Sequence, residues 1–137
     1  MSAVKELIRT EENGTISFGD YELAEKAKLS DYMFRGDAYK VKTFKEITKL
    51  ERNGLFVYES VPGTTVLNLL QDNESMCFEV EGRDGAQITV ELEAETEYEV
   101  EINEESLGNM TTNLGGKLSF SVEFGDSEKV MVKIRKC

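Results

Sequence analysis

From Thr64 to Arg135 apolar and polar residues alternate in seven short runs. Ile88, Val90 and Leu92 alternate with Thr89, Glu91 and Glu93, and Tyr98, Val100 and Ile102 alternate with Glu97, Glu99 and Glu101. Leu118, Phe120 and Val122 stand between Lys117, Ser119, Ser121 and Glu123, and Val130, Val132 and Ile134 close the series. Successive side chains of a strand point to opposite faces, so each run offers one face to a core and one to water. The pattern predicts strands over 64–70, 76–81, 87–92, 97–102, 107–111, 118–124 and 130–135. Turn-forming residues separate them at Asp72-Asn73, 82–85, 93–96, 103–105, 113–116 and 125–127. Short strands with turns about every ten residues suggest an antiparallel sandwich of immunoglobulin or fibronectin-III type. A barrel is the alternative fold. The chain has no tryptophan, so the Cys-Trp-Cys signature of antibody domains is absent and the architecture alone is inferred.

The first part of the chain reads as hairpins. Asn13-Gly14 precedes the apolar Ile16 and Phe18, and Gly19-Asp20 breaks the run. Residues 21–29 are ambiguous between a helical turn or two and an extended strand. Residues 29–34 and 38–44 flank Arg35-Gly36-Asp37, as two antiparallel strands would flank a short loop. Residues 47–51 and 55–60 are joined by Asn53-Gly54, a pair that tolerates positive φ at both central positions of a type I′ turn. Val61-Pro62-Gly63 then interrupts the pattern, and the expected boundary lies there. The expected organisation is all-β: an N-terminal β-hairpin lobe, 1–62, and an antiparallel immunoglobulin-like β-sandwich, 63–137. Hairpins alone are too small to stand in water, so this lobe should bury a face against the sandwich or another subunit.

Charge sharpens the division. Residues 1–62 carry 10 basic and 11 acidic side chains, whereas residues 63–137 carry 6 and 16. A surface so acidic repels phosphate backbones and anionic lipid, which argues against nucleic acid and bare membrane as partners. No apolar run approaches the roughly 20 residues that span a bilayer. Residues 1–12 show no apolar signal segment, so a cytoplasmic location is expected. Cys77 and Cys137 form no disulfide framework, and with no histidine they cannot complete a typical protein-only zinc site.

Candidate chemistry is sparse. The absence of histidine removes Ser-His-Asp and Cys-His catalysis. Gly115-Gly116-Lys117 lacks the spacing of a phosphate loop and reads as a hairpin connection. Glu97, Glu99 and Glu101 share one strand face at about 7 Å intervals, a separation found in inverting glycosidases. Acid catalysis needs burial to raise a carboxyl pKa, and an all-glutamate face is normally hydrated. The same face, or Asp72 with Glu74 or Asp84, could hold calcium weakly, without EF-hand spacing. No cofactor is expected. Arg35-Gly36-Asp37 matches the integrin-binding tripeptide, as three common turn residues readily do.

Tyr39 and Tyr58 could form a sugar-stacking platform or an oligomer contact, although core packing is the ordinary use of such residues. Lys40, Lys42, Lys45 and Lys49 make the hairpin lobe locally basic. They could meet the acidic Glu97, Glu99 and Glu101 of a neighbouring copy, which suggests self-association tested by mass at low and high salt. The residues therefore point to a non-enzymatic structural or protein-interaction β protein, with a homo-oligomer or another protein as partner. A carbohydrate-binding module is the second reading, with a glycan as ligand.

The segments 14–21, 39–44, 46–54, 56–64 and 113–119 (the central one running Phe56-Val57-Tyr58-Glu59-Ser60-Val61-Pro62-Gly63-Thr64) resemble short proteins of anaerobic Firmicutes, mostly gut Clostridia, that carry the automatic name endosialidase. The resemblance covers nearly the whole chain and is most specific over 39–64. It implies a bacterial source and, through the name, hydrolysis of internal polysialic acid linkages. It supplies no catalytic residue at a numbered position, because true endosialidases resemble large trimeric tailspikes with a propeller domain.

Overall fold

The computed structural model describes residues 4–124 and 129–137. They form thirteen strands in chain order: β1 Ile8–Thr10, β2 Ile16–Phe18, β3 Ala27–Phe34, β4 Asp37–Phe44, β5 Ile47–Arg52, β6 Leu55–Val61, β7 Thr65–Gln71, β8 Ser75–Glu81, β9 Gly85–Glu91, β10 Glu97–Ile102, β11 Glu105–Thr111, β12 Lys117–Glu123 and β13 Val130–Lys136. Two antiparallel sheets pack face to face as a β-sandwich. One has seven strands in the order β1-β2-β7-β8-β13-β10-β11, and the other has six in the order β12-β9-β6-β5-β4-β3. The strands expected after residue 64 all occur within a residue or two of their anticipated ends. The turn expected over 125–127 lies outside the described residues.

Alternation sets the inner faces. Val41, Leu50, Tyr58, Val90 and Leu118 stand in register across five neighbouring strands of the six-stranded sheet, and all are buried. From the seven-stranded sheet Met76, Phe78, Val80, Val100, Val132 and Ile134 meet them, none more than 1% exposed. The ring of Tyr58 sits edge-on between Phe18 and Phe78, with centroids 5.4 and 5.7 Å away. Such edge contacts match the positive rim of one ring to the negative face of the next.

Residues 1–62 are not a separate lobe. β6 pairs with β9 and β2 pairs with β7, so each sheet draws strands from both sides of residue 62. One core cluster, from Ile8 to Ile134, includes residues of both parts. Val61-Pro62-Gly63 marks the corner at which the chain leaves β6 of one sheet and enters β7 of the other. The hairpins find the apolar face they need by completing both sheets. The sandwich thus uses all thirteen strands, where seven were expected to form it alone.

A buried hydroxyl network holds this corner. Thr43 Oγ1 and Thr48 Oγ1 lie 2.8 Å apart, and Thr48 Oγ1 donates to Thr64 O at 2.7 Å. Thr64 Oγ1 lies 2.8 Å from Tyr58 OH and 2.7 Å from Ser60 Oγ. Thr65 Oγ1 donates to Gly19 O at 2.9 Å, and Asp20 N–H donates to Thr43 Oγ1 at 2.9 Å. Buried polar groups cost little only when paired, and this cluster pairs them with one another. Gly19, at φ +95°, lets the backbone pass close to Thr64, since a Cβ there would lie 2.5 Å from Thr64 O.

Candidate functional site

The outer face of the six-stranded sheet carries a local row of lysines. On the six-stranded sheet, Lys28 stands opposite Lys42, Lys42 opposite Lys49, and Lys49 opposite Glu59. The row continues through Thr89 and Ser119 to the far edge, where the two hydroxyls are 2.8 Å apart. Lys40 lies two residues along β4 on the same face, opposite Glu51. Lys28, Lys40, Lys42, Lys49 and Glu51 line a shallow depression of about 70 Å³. Neighbouring strands are about 4.8 Å apart, so three like charges stand in consecutive contact positions. Like charges directly opposite one another destabilise a sheet.

Few counter-ions relieve this row. Lys49 Nζ approaches Glu51 Oε2 at 3.5 Å, whereas Lys28, Lys40 and Lys42 have no carboxylate within 4.0 Å among the described residues. Phe56, half-buried on the same face, lies under the ammonium groups of Lys49 and Lys117, 5.9 and 4.9 Å from its centroid. Lys45 stands in the β4–β5 turn, outside the row, where its backbone bonds Leu23 and Gly63.

The acidic face carries its own cations. Glu97, Glu99 and Glu101 of β10 face β13, where Arg135 is opposite Glu99 and Lys133 opposite Glu101. Arg135 Nη2 donates to Glu99 Oε1 at 3.1 Å and also to Glu101 Oε2. Lys136 Nζ donates to Glu93 Oε1 at 2.9 Å, and this bond holds the Glu93 carboxyl below its usual range. The glutamates expected to receive lysines from another chain are thus partly neutralised within their own sheet.

Tyr39 and Tyr58 are not surface groups. Tyr39 is 7% exposed and Tyr58 fully buried, so they form neither a stacking platform nor an exposed contact. Strand period gives the reason: Lys40 and Lys42 point to water, which sends Tyr39 and Val41 inward on the same strand. Burial also pushes the Tyr58 hydroxyl pKa up, against the Thr64 and Ser60 bonds.

The remaining candidates resolve into turns. Among the described residues no group of three or more histidine, cysteine, aspartate or glutamate side chains could hold a metal. Asp72 Oδ1 accepts from the backbone N–H groups of Glu74 and Ser75 and from Ser75 Oγ. These bonds lower its pKa and close the β7–β8 turn. Arg35 and Gly36 take positive φ in the β3–β4 turn, and Arg35 Nη2 donates to Gly14 O at 2.8 Å. Gly115-Gly116 lies in the connection into β12, but this connection crosses from β11 of one sheet to β12 of the other and is not the hairpin expected. No described helix is long and apolar enough to cross a membrane.

Lys28, Glu51 and Lys117 join the lysine face without having been singled out in the sequence. Lys28 fell in the ambiguous segment, and only the β3–β4 register brings it beside Lys42. No protein-family model, curated protein or solved structure matches this chain.

Proposed function

We propose that this chain is a non-enzymatic protein-interaction β-sandwich whose lysine face holds an acidic protein surface. The observation that carries the reading is the row Lys28–Lys42–Lys49 with Lys40 beside it, on a chain of net charge −11. A like-charge row weakens the sheet that carries it, and an acidic partner would relieve the repulsion. Complementary charge of this kind steers encounter and fixes register, and salt weakens it. A second copy's Glu97, Glu99 and Glu101 remain one such surface, although Arg135 already engages two of them. The non-enzymatic part of the reading is supported by the open, cation-paired setting of those glutamates, which lacks the burial that tunes a catalytic acid.

Binding to immobilised poly-glutamate tests the reading. Retention at low salt should fall steeply as salt rises. It should also fall in a Lys40→Glu, Lys42→Glu double variant that keeps the native circular dichroism. Retention that is absent, or equal in the double variant, overturns it.

The carbohydrate-binding reading loses its tyrosine platform, and Phe56 on the lysine face lies beneath Lys49 and Lys117. We keep it as the second reading only, tested by a glycan array.

A further inference from the structure

The four sheet edges are not equally protected. β1 has only three residues. β3 carries a register shift between Leu29 and Tyr32, with Asp31 at φ 60°, and β11 sits on one between Val100 and Glu101, with Gly108 at φ 94°. Bulges and shortness are the ordinary devices that stop an edge from pairing with another chain. β12 has neither. Its seven residues run in unbroken register with β9, from Lys117 opposite Glu91 to Glu123 opposite Gly85, with no proline or glycine.

The hydrogen-bond frame shows which groups that edge presents. Leu92 N–H donates to Gly116 O, and Phe124 N–H donates to Asp84 O, at the two ends of the ladder. Hydrogen-bonded and non-hydrogen-bonded pairs alternate in an antiparallel ladder. Leu118, Phe120 and Val122 therefore turn their backbone groups to β9, and Ser119, Ser121 and Glu123 turn theirs outward. The next position, Lys117, is already closed: its N–H donates to Asn113 Oδ1 and its carbonyl accepts from Asn113 N–H. Among the described residues no strand pairs with the outward side of β12.

The position beside β12 is also vacant in the sandwich. Thr10 Oγ1 and Tyr32 OH, 2.8 Å apart, align the β1 and β3 edges. With seven strands over six, the other sheet runs one strand further at the opposite side. That strand is β11, none of whose residues is fully buried and whose Leu107 is 52% exposed.

We propose that β12 pairs antiparallel with β12 of a second copy, about a two-fold axis at Ser121, joining the two six-stranded sheets. This register opposes Ser121 to Ser121 and Ser119 to Glu123, so a hydroxyl meets each carboxylate and no like charges face each other. It engages the outward N–H and C=O of all three residues and leaves Lys117, already bonded to Asn113, outside. An isologous contact of this kind closes at two copies. The pairing is independent of the lysine face. It rests on main-chain hydrogen bonds and persists in salt, whereas docking on the lysines does not.

Light scattering after gel filtration reads the mass at low and high salt. The expected mass is that of two chains in both. Ser121→Pro removes an N–H that faces outward, a substitution an edge strand accepts, and should give one-chain mass with native circular dichroism. Ser121→Lys sets like charges across the axis and should do the same at low salt, should the proline variant fail to fold. A hydrogen-bonded antiparallel pair has Cα atoms about 5.5 Å apart, within disulfide reach. In a Cys137→Ser background, Ser121→Cys should therefore oxidise to a covalent dimer, and Ser119→Cys should not. A native chain of one-chain mass at every concentration overturns the pairing. So does a dimer that survives Ser121→Lys and dissolves in salt, which would assign association to the lysine face instead.

Discussion

The hydroxyls of Tyr58 and Thr64 lie 2.8 Å apart inside the core, although one residue belongs to β6 and the other lies beyond the corner that leads to β7. Each is fully buried, and Thr64 Oγ1 also reaches Ser60 Oγ at 2.7 Å. The bond ties the six-stranded sheet to the segment that starts the seven-stranded one.

Thr64→Val should cost about 1–3 kcal/mol, because it leaves the buried Tyr58 and Ser60 hydroxyls without this partner. Tyr58→Phe removes a hydroxyl whose partner Thr64 keeps Ser60, and should cost about 0.5–1.5 kcal/mol. Chemical denaturation measures both. Equal costs for the two variants would mean that the hydroxyl pair is not what holds the corner.

Close approach at the same corner makes a second prediction. Gly19 has φ +95°, and its backbone passes so near Thr64 that an added Cβ would meet Thr64 O at 2.5 Å. Gly19→Ala thus combines a strained φ with a clash against backbone, and should destabilise by more than about 1 kcal/mol. Gly54→Ala, also at positive φ but with open space around it, should cost less. A reversed order in their unfolding midpoints would refute the packing argument.

Much of this architecture is legible in the sequence, for reasons that particular residues make plain. The alternation of Tyr98, Val100 and Ile102 with glutamates fixes both the strand and its inward face. Asn53 and Gly54 take φ of 52° and 81°, as the turn chemistry requires. Pairing partners are another matter. Nothing local in Val57-Tyr58-Glu59 says that β6 will join β9 some thirty residues on, so the apparent boundary at Pro62 divides no domain. β1 escapes notice because three residues show no period. Tyr39 and Lys40 could not have shared one surface, since consecutive strand residues face opposite ways. The lysine face itself needed the register, for Lys28 reaches Lys42 only across the β3–β4 hairpin.

The lysine row predicts a gain from charge reversal. Lys42 stands between Lys28 and Lys49, so Lys42→Glu replaces two repulsive cross-strand pairs by attractive ones. Stability at low salt should rise by roughly 0.5 kcal/mol, and added salt should erase the difference. A loss of stability at low salt would show that these ammonium groups do not feel one another. The same variant should bind poly-glutamate more weakly, so that stability and binding move in opposite directions.

Alkali should loosen the fold through Tyr21. Its hydroxyl is pushed up from 10.0 to about 12, first by burial and then by the Glu81 carboxylate, to which it donates at 3.1 Å. The folded chain thus holds this proton more tightly than the unfolded one. The stability linked to it is fully present below pH 10 and is lost as pH rises toward about 12. Tyr21→Phe removes the titrating group, so the variant should be less stable at neutral pH, without the Glu81 bond, yet should lose less stability between pH 10 and 12. Denaturation midpoints across that range, read beside tyrosinate absorbance, decide the matter: parallel losses in the native chain and in Tyr21→Phe would place the alkaline transition elsewhere, with the buried Tyr58 the next group to substitute.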